Sequence, residues 1–380
     1  MAHHGRGGRG LSESGEPARA YHRWQFRLSA VGVVLALGYL SGLLATGLAL
    51  RLRDALAGLT SIWWLELPLA LLIIGGGYRL LTLPLAWLQG FWLPRRFGLL
   101  HQPFRQWAWD ALKAHLIGGL LGVLAAEVVY GLLRATPWWW LWGALCFLGG
   151  HAVLAVVAPV WLVPLFYRLT PLPDGGLRDR LLGLAGRAGV PVLDVWVADH
   201  SRKSRAANAA VLGLAGTRRI LLFDTLVDTF TADEVETVLA HELAHQVHGD
   251  IVRGLFFQGT LTLVTFWAAE HLLRTGTRML GLTGPADLAG LPLFGLILMV
   301  LGAAALPLGN GWSRRVERQA DDFALRMTGN AGAFIAAMER LAALNLAESD
   351  PHPLKEIIFY SHPSIGRRVA RAQSLLRQPA

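Results

Sequence analysis

The chain holds a single cysteine, Cys146, among 380 residues, so no disulfide can form within it. Only 16% of its residues are charged, against roughly a quarter in ordinary soluble domains. Acids are the scarcer sign, with 26 Asp and Glu against 35 Lys and Arg, a formal net charge of +9. That surplus raises nucleic-acid binding as a class. No basic–aromatic recognition module is present, so a nucleic-acid partner is set aside. No small-residue cleavage signal accompanies the first apolar run, which therefore reads as a retained anchor.

What the chain has in quantity is apolar surface: 53% hydrophobic residues and a mean hydropathy of +0.42. Such a composition suits a protein that spends much of its length in a lipid bilayer. A membrane helix needs about 20 mostly apolar residues. Six stretches qualify or nearly qualify: Ser29–Leu50, Ile62–Pro94, His115–Leu133, Ala135–Tyr167, Gly254–Leu273 and Leu288–Ser313. Pro159 and Pro164 are expected to kink the fourth, and Trp138, Trp139 and Trp140 to anchor its start at the membrane boundary. Arg79, Glu127, Glu270 and His271 interrupt the spans, as internal ion pairs or as the lining of a wet cavity.

Alternating the spans places the N-terminal arm, the Leu93–Lys113 link, the Arg168–Arg253 segment and the C-terminal tail on one side. That side is rich in Arg and Lys; the opposite loops carry only Arg51, Arg53, Arg134, Arg274 and Arg278. The positive-inside rule puts the rich side in the cytoplasm. No loop on the other side is long enough for a sensor domain, which weighs against a signalling role. The expected organisation is a disordered basic arm over 1–28, a transmembrane module over 29–168, and a further domain over 169–380 that includes two more spans (254–273 and 288–313). The fold class is mainly α: a bundle of about six spans with a cytoplasmic α/β unit.

Within Pro171–Asp250, Leu177–Ala188 reads as a helix closed by Gly189 and Pro191. Val192–Ala198, Asn208–Leu214 and Ile220–Phe223 read as strands. Thr231-Ala-Asp-Glu234 is a capping box that opens a helix from about Ala232 to His248. On it stand His241-Glu242-Leu-Ala-His245. Residues four apart share a helix face, so both imidazoles can reach one metal, with Glu242 close by. Zinc lowers the pKa of a bound water to about 7, and a carboxylate can take its proton as the water attacks a carbonyl. The bland alternative is a solvated face with two incidental histidines; the capped, amphipathic helix disfavours it. The motif lies outside every apolar run, which disfavours cleavage at the bilayer centre.

A catalytic zinc takes three protein ligands and keeps one position open. His248 shares the face, but three ligands on one straight helix converge poorly. Ser313-Arg-Arg-Val-Glu317-Arg-Gln-Ala-Asp321 begins after the last span and sets two acids four apart. One of them can bind metal while the other orients a ligand histidine; a charged helix at the membrane edge explains the spacing equally well. His362, in Tyr360-Ser-His-Pro-Ser364, can donate a hydrogen bond to a developing oxyanion.

The ordered set of motifs resembles the type 1 CAAX prenyl protease family, integral membrane gluzincins that include the shorter heat-shock membrane peptidases. The resemblance rests on Phe97-Gly-Leu-Leu-His-Gln with Trp109, Asp110 and Lys113, then Thr170-Pro-Leu-Pro-Asp174, then Ser204–Ala209 and Leu222-Phe-Asp-Thr-Leu226. The zinc helix, the Glu317 segment and Ser-His-Pro-Ser with Arg368 follow. It covers most of the chain beyond Leu93. It implies one Zn2+ held by His241, His245 and Glu317, with Asp321 as a structural partner. It implies Glu242 and His362 as catalytic groups. Asn208 and Ala209 would lie on an edge strand that pairs with substrate, and Arg368, near the cleft, would also bind substrate. Ala210 departs from the aromatic residue usual after Asn-Ala, Arg367 from a common glutamate, and Ala244 from a common glycine. The expected activity is zinc endopeptidase cleavage of peptide or protein substrates, lipidated or membrane-associated, at the cytoplasmic face of a bacterial inner membrane. A transporter or scaffold with a degenerate site is disfavoured by the complete set of candidate ligands.

Overall fold

The computed structural model describes residues 7–213 and 218–377, and of 7–14 and 375–376 the backbone alone. Among them, six helices are long and apolar enough to cross a membrane: Gly15–Ala45, Trp63–Arg96, Phe104–Ala135, Trp139–Leu165, Asp250–Met279 and Leu288–Thr328. The mainly α bundle of about six spans is therefore what the chain forms, with one small sheet beside it. The third, fifth and sixth helices outrun their apolar stretches, whereas the first stops at Ala45, short of Leu50, and the fourth keeps only Trp139–Leu165 of its stretch. At Pro159 and Pro164 the fourth span changes pitch rather than ending. Its α-helix stops at Val157, widens into a π-helical turn over Ala158–Leu162 and tightens over Val163–Leu165, because each proline removes a backbone donor. Glu270, inside a span, accepts a hydrogen bond from Trp139 Nε1 at 2.6 Å and pairs with Arg274 one turn on.

The expectation of a disordered arm over 1–28 is corrected from Gly7 onward; residues 1–6 lie outside the described ones. One helix runs Gly7–Ala45. Its polar end is tied down: Ala18 and Tyr21 are buried with Leu93 and Leu346, Tyr21 meets Phe97 edge-on at 5.5 Å, and His22 Nε2 lies 2.9 Å from the Leu346 carbonyl oxygen. A terminus docked in this way stays ordered although its composition is polar.

The sheet has four strands: β1 (Leu169–Pro171), β2 (Asp194–Ala198), β3 (Ala209–Leu212) and β4 (Arg219–Phe223), in the order β1-β2-β4-β3. β2 and β4 are parallel, and β1 and β3 flank them antiparallel. The three expected strands are present, β3 ending at Leu212, with Leu214 outside the described residues. β1 is an addition: it contains Pro171 and three residues, too short and too proline-marked to read as a strand. The Gly176–Arg187 helix and the motif helix, Ala232–Val247, pack on this sheet through Leu181, Leu184, Val235, Leu239 and Leu243. Leu239 and Leu243, four apart, are fully buried. That burial fixes the rotation of the motif helix and turns its other stripe, His241 and His245, toward the Leu291–Thr328 helix.

Candidate metal and peptidase site

The start of the motif helix is pinned by the capping box. Thr231 Oγ1 accepts from the Glu234 N–H at 3.3 Å, and the Glu234 carboxylate accepts from the Thr231 N–H at 2.7 Å. The helix stops before Gly249, which sits at φ 64°. A side chain at that left-handed position would be strained. The turn swings the chain into the next membrane helix and delivers Asp250 beside His245.

Both imidazoles are held by a carboxylate on Nδ1 and present Nε2 to Glu317. His241 Nδ1 lies 2.9 Å from Asp321 Oδ1, and its Nε2 lies 3.2 Å from Glu317 Oε2. His245 Nδ1 lies 3.0 Å from Asp250 Oδ2, and its Nε2 lies 3.8 Å from Glu317 Oε1. One donor atom from each of His241, His245 and Glu317 lies within 4.8 Å of the others. Two ligands bonded at 2.0–2.1 Å to a tetrahedral ion are roughly 3.3 Å apart. The spacings found fit one ion. Glu317 Oε2 is also buried, and His241 Nε2, at 3.2 Å, faces it outside hydrogen-bonding geometry. A buried carboxylate oxygen left so is costly unless a cation takes its place. The donor set, two imidazoles and one carboxylate, suits a metal such as zinc.

Burial alone lowers the pKa of His241, but the Asp321 and Glu317 carboxylates outweigh it and push the imidazole up to about 9 in the metal-free protein. Burial pushes the Glu242 carboxyl up, and the Glu317 charge adds to that against the neighbouring histidines. For His362, burial lowers the pKa against the pull of Glu317.

His241, Glu242, Asn208, His362 and Arg368 line one cleft of about 340 Å³. His362 Nδ1 lies 2.9 Å from Ser361 Oγ, and its Nε2 reaches to 3.3 Å from Glu317 Oε1. Arg368 is buried, and its guanidinium forks onto Asp321, with Nε–Oδ2 at 2.9 Å and Nη2–Oδ1 at 2.5 Å. Arg368 nonetheless lines the cleft. β3 is an edge strand. The peptide joining Asn208 to Ala209 turns its carbonyl toward the Phe223 N–H at 3.0 Å, and so turns the Ala209 N–H to the open edge. There Asn208 Oδ1 accepts from it at 3.0 Å. Ala209 itself is buried and does not line the cleft.

His248 takes no part in the cluster; its ring meets Phe323 edge-on. Two residues were not anticipated from the sequence. Asp250 holds His245, and its signal was an acid on the first turn of a helix five residues past the second histidine. Asn345 clamps the approach to β3, its side-chain amide exchanging two hydrogen bonds with the backbone of Ala207, at 3.0 and 3.2 Å. Nothing local in the sequence marks it.

Residues 171–376 match the family model described as peptidase family M48, and residues 12–168 match one described as CAAX prenyl protease N-terminal, five membrane helices. Within 12–168, four helices are long enough to cross a membrane, and the Leu48–Leu59 helix, at 12 residues, is not. The chain is 29% identical over 361 residues to YhfN, an uncharacterized metalloprotease of Bacillus subtilis, covering 94% of this chain and 84% of that one. It is 30% identical over 309 residues to CAAX prenyl protease 1 of Saccharomyces cerevisiae, covering 76% of this chain and 68% of the yeast protein. The crystal structure of S. mikatae Ste24p superposes with a TM-score of 0.85 at 24% identity, over 95% of this chain and 89% of that one.

Proposed function

The chain belongs to peptidase family M48 and is an integral membrane metallopeptidase; from that premise we propose that it is a zinc endopeptidase acting on membrane-associated or lipidated peptides. The convergence of His241 Nε2, His245 Nε2 and a Glu317 oxygen, beside a cleft that His241 and Glu242 line, carries the reading. Those three residues would hold the zinc, which when bound activates a water and polarises the scissile carbonyl. Glu242, one residue from His241, takes the proton of the attacking water and returns it to the leaving amine. In the metal-free protein burial raises the pKa of its carboxyl. His362 donates from Nε2 to the oxygen on which charge develops. The substrate backbone pairs with the β3 edge, its carbonyl taking the place of Asn208 Oδ1 on the Ala209 N–H. Arg368 acts through Asp321, and Asp321 through His241, so Arg368 is a positioning residue rather than a substrate ligand.

The same logic applies to Asp250 on His245. Residues that orient a ligand histidine are worth about 10- to 100-fold in metal affinity. Asp250→Asn is expected to weaken zinc binding by that factor in competition with a chromophoric chelator, with the helical content unchanged. An affinity equal to wild type would remove Asp250 from the site.

Apolar substrate chemistry is supported by a groove of about 750 Å³ that runs along the first membrane helix to His362, past Phe26, Ala30, Val33 and Phe359. A groove lined in this way accepts a hydrocarbon chain attached to a peptide that lies in the cleft. The Arg and Lys distribution supports a peptidase side facing the cytoplasm, in a bacterial inner membrane if the host is one. The sheet and the candidate ligands all fall within 169–380, which supports a membrane module over 29–168 and a peptidase domain over 169–380 that includes two further spans. The test is a pair of peptides that differ only in a farnesyl group on one cysteine, assayed with the protein in bilayer nanodiscs. The farnesylated peptide is expected to be cleaved with at least tenfold higher kcat/KM. Equal or slower cleavage would refute the lipidated-substrate reading.

A further inference from the structure

A second concave site, of about 1080 Å³, opens where the helix bundle meets the sheet, and it shares no lining residue with the metal cleft. Its walls come from the start of the Phe104–Ala135 helix and from Pro164–Arg168, the link into β1. Four cations line it, Arg105, Lys113, Arg168 and Arg202, against one carboxylate, Asp110. Asp110 is already saturated, by Lys113 at 2.8 Å, Lys203 at 2.6 Å and Gln102 at 2.7 Å. Arg202 is paired with Asp199 at 3.0 Å. Arg105 and Arg168 are exposed, and among the described residues neither side chain has an acidic partner. The backbone of Arg168 is nonetheless fixed, its N–H donating to Asp199 Oδ1 at 2.8 Å and its carbonyl accepting from the Asp199 N–H at 3.2 Å. A cation on an anchored backbone is suited to a ligand rather than to solvent.

Aromatic and aliphatic groups continue the site toward the bilayer. Trp109 and Phe104 are 60% and 54% exposed at its rim, where an interfacial ring belongs. Leu112, Leu116, Leu120 and Leu124, four apart, form a slowly winding stripe down the same helix, 46%, 65%, 62% and 53% exposed. An orientation signal needs cations near the membrane boundary. It does not need two of them unpaired in one concavity at the head of an uncovered apolar stripe.

We propose that this pocket binds the headgroup of an anionic membrane phospholipid, with Arg105 and Arg168 on the phosphate and an acyl chain along the leucine stripe. Arginine suits the anchor because its planar fork matches phosphate oxygens, and basic pockets at helix ends are where such lipids are held. The choice of an anionic lipid follows from the charge balance: Asp110 is spent on its lysines, which leaves no carboxylate to receive a choline.

The test is native mass spectrometry of the full chain from nanodiscs of phosphatidylcholine with or without phosphatidylglycerol. Wild type is expected to retain one phosphatidylglycerol per chain, and the Arg105→Gln/Arg168→Gln variant at least tenfold less. Arg51→Gln/Arg278→Gln, at the other end of the bundle, should retain it as wild type does. Glycerol 3-phosphate at millimolar concentration should not displace the lipid, since it lacks the chains that reach the stripe. Equal retention by the pocket variant, equal loss from both double variants, or equal retention of phosphatidylcholine by wild type would each overturn the proposal. So would displacement by glycerol 3-phosphate, which would mark a site for soluble anions. Should the double variant not fold, Trp109→Ala and the lipid selectivity of wild type decide the matter alone.

Discussion

Glu242→Gln is expected to lower peptide hydrolysis by about 10²- to 10⁴-fold, the usual contribution of a positioned general base. The substitution keeps the size and the hydrogen-bonding outline of the side chain and removes its ability to accept a proton. Glu242 is absent from the ligand set, and none of its atoms is needed to hold His241 or His245. The variant should therefore bind one zinc per chain as wild type does, and should bind substrate with little change. Two measurements on one preparation check this: cleavage of a quenched fluorescent peptide, and metal content by emission spectroscopy. Loss of activity together with loss of metal would mean that Glu242 supports the site rather than acting as its base. Full activity would end the mechanism proposed.

Glu317→Ala carries the second large effect. Glu317 is the meeting point of the cluster, with His241 at 3.2 Å, His362 at 3.3 Å and His245 at 3.8 Å from its oxygens. Removing it takes away the charged ligand and leaves two imidazoles on one helix. Zinc affinity is expected to fall by more than the roughly 100-fold upper end seen for residues that merely orient a ligand, and activity with it. Glu317→Ala should also leave the fold in place, because the residues that position the Leu291–Thr328 helix, Phe294, Ile297, Ala320 and Ala324, are separate from the metal pocket. Circular dichroism and equilibrium dialysis against zinc separate the two consequences. Undiminished zinc uptake would show that another group supplies the third ligand.

Much of this arrangement was legible in the chain before any coordinates, and for physical reasons. Long apolar stretches read as spans, the Thr231–Glu234 box starts a helix, and the four-residue spacing on that helix sets His241 and His245 on one face. The acids at 317 and 321 were visible as a pair, but which one faces the metal depends on how the Leu291–Thr328 helix crosses the motif helix, and spacing alone left that open. Asp250 was hidden because its position depends on the left-handed turn at Gly249. The ordering of the N-terminal arm was hidden because Tyr21 and Ala18 pack on Leu93 and Leu346, contacts between segments far apart in sequence. Arg368 was placed near the cleft on resemblance. Its fork on Asp321, visible only in three dimensions, ties it to the carboxylate that holds His241.

The metal position itself is the most direct test. In crystals of the purified protein grown with zinc, anomalous diffraction at the zinc edge should show one peak per chain, about 2 Å from Nε2 of His241, Nε2 of His245 and a Glu317 oxygen. A peak that leaves any one of these three side chains beyond bonding distance, or no peak in the cleft, would contradict the account at its centre.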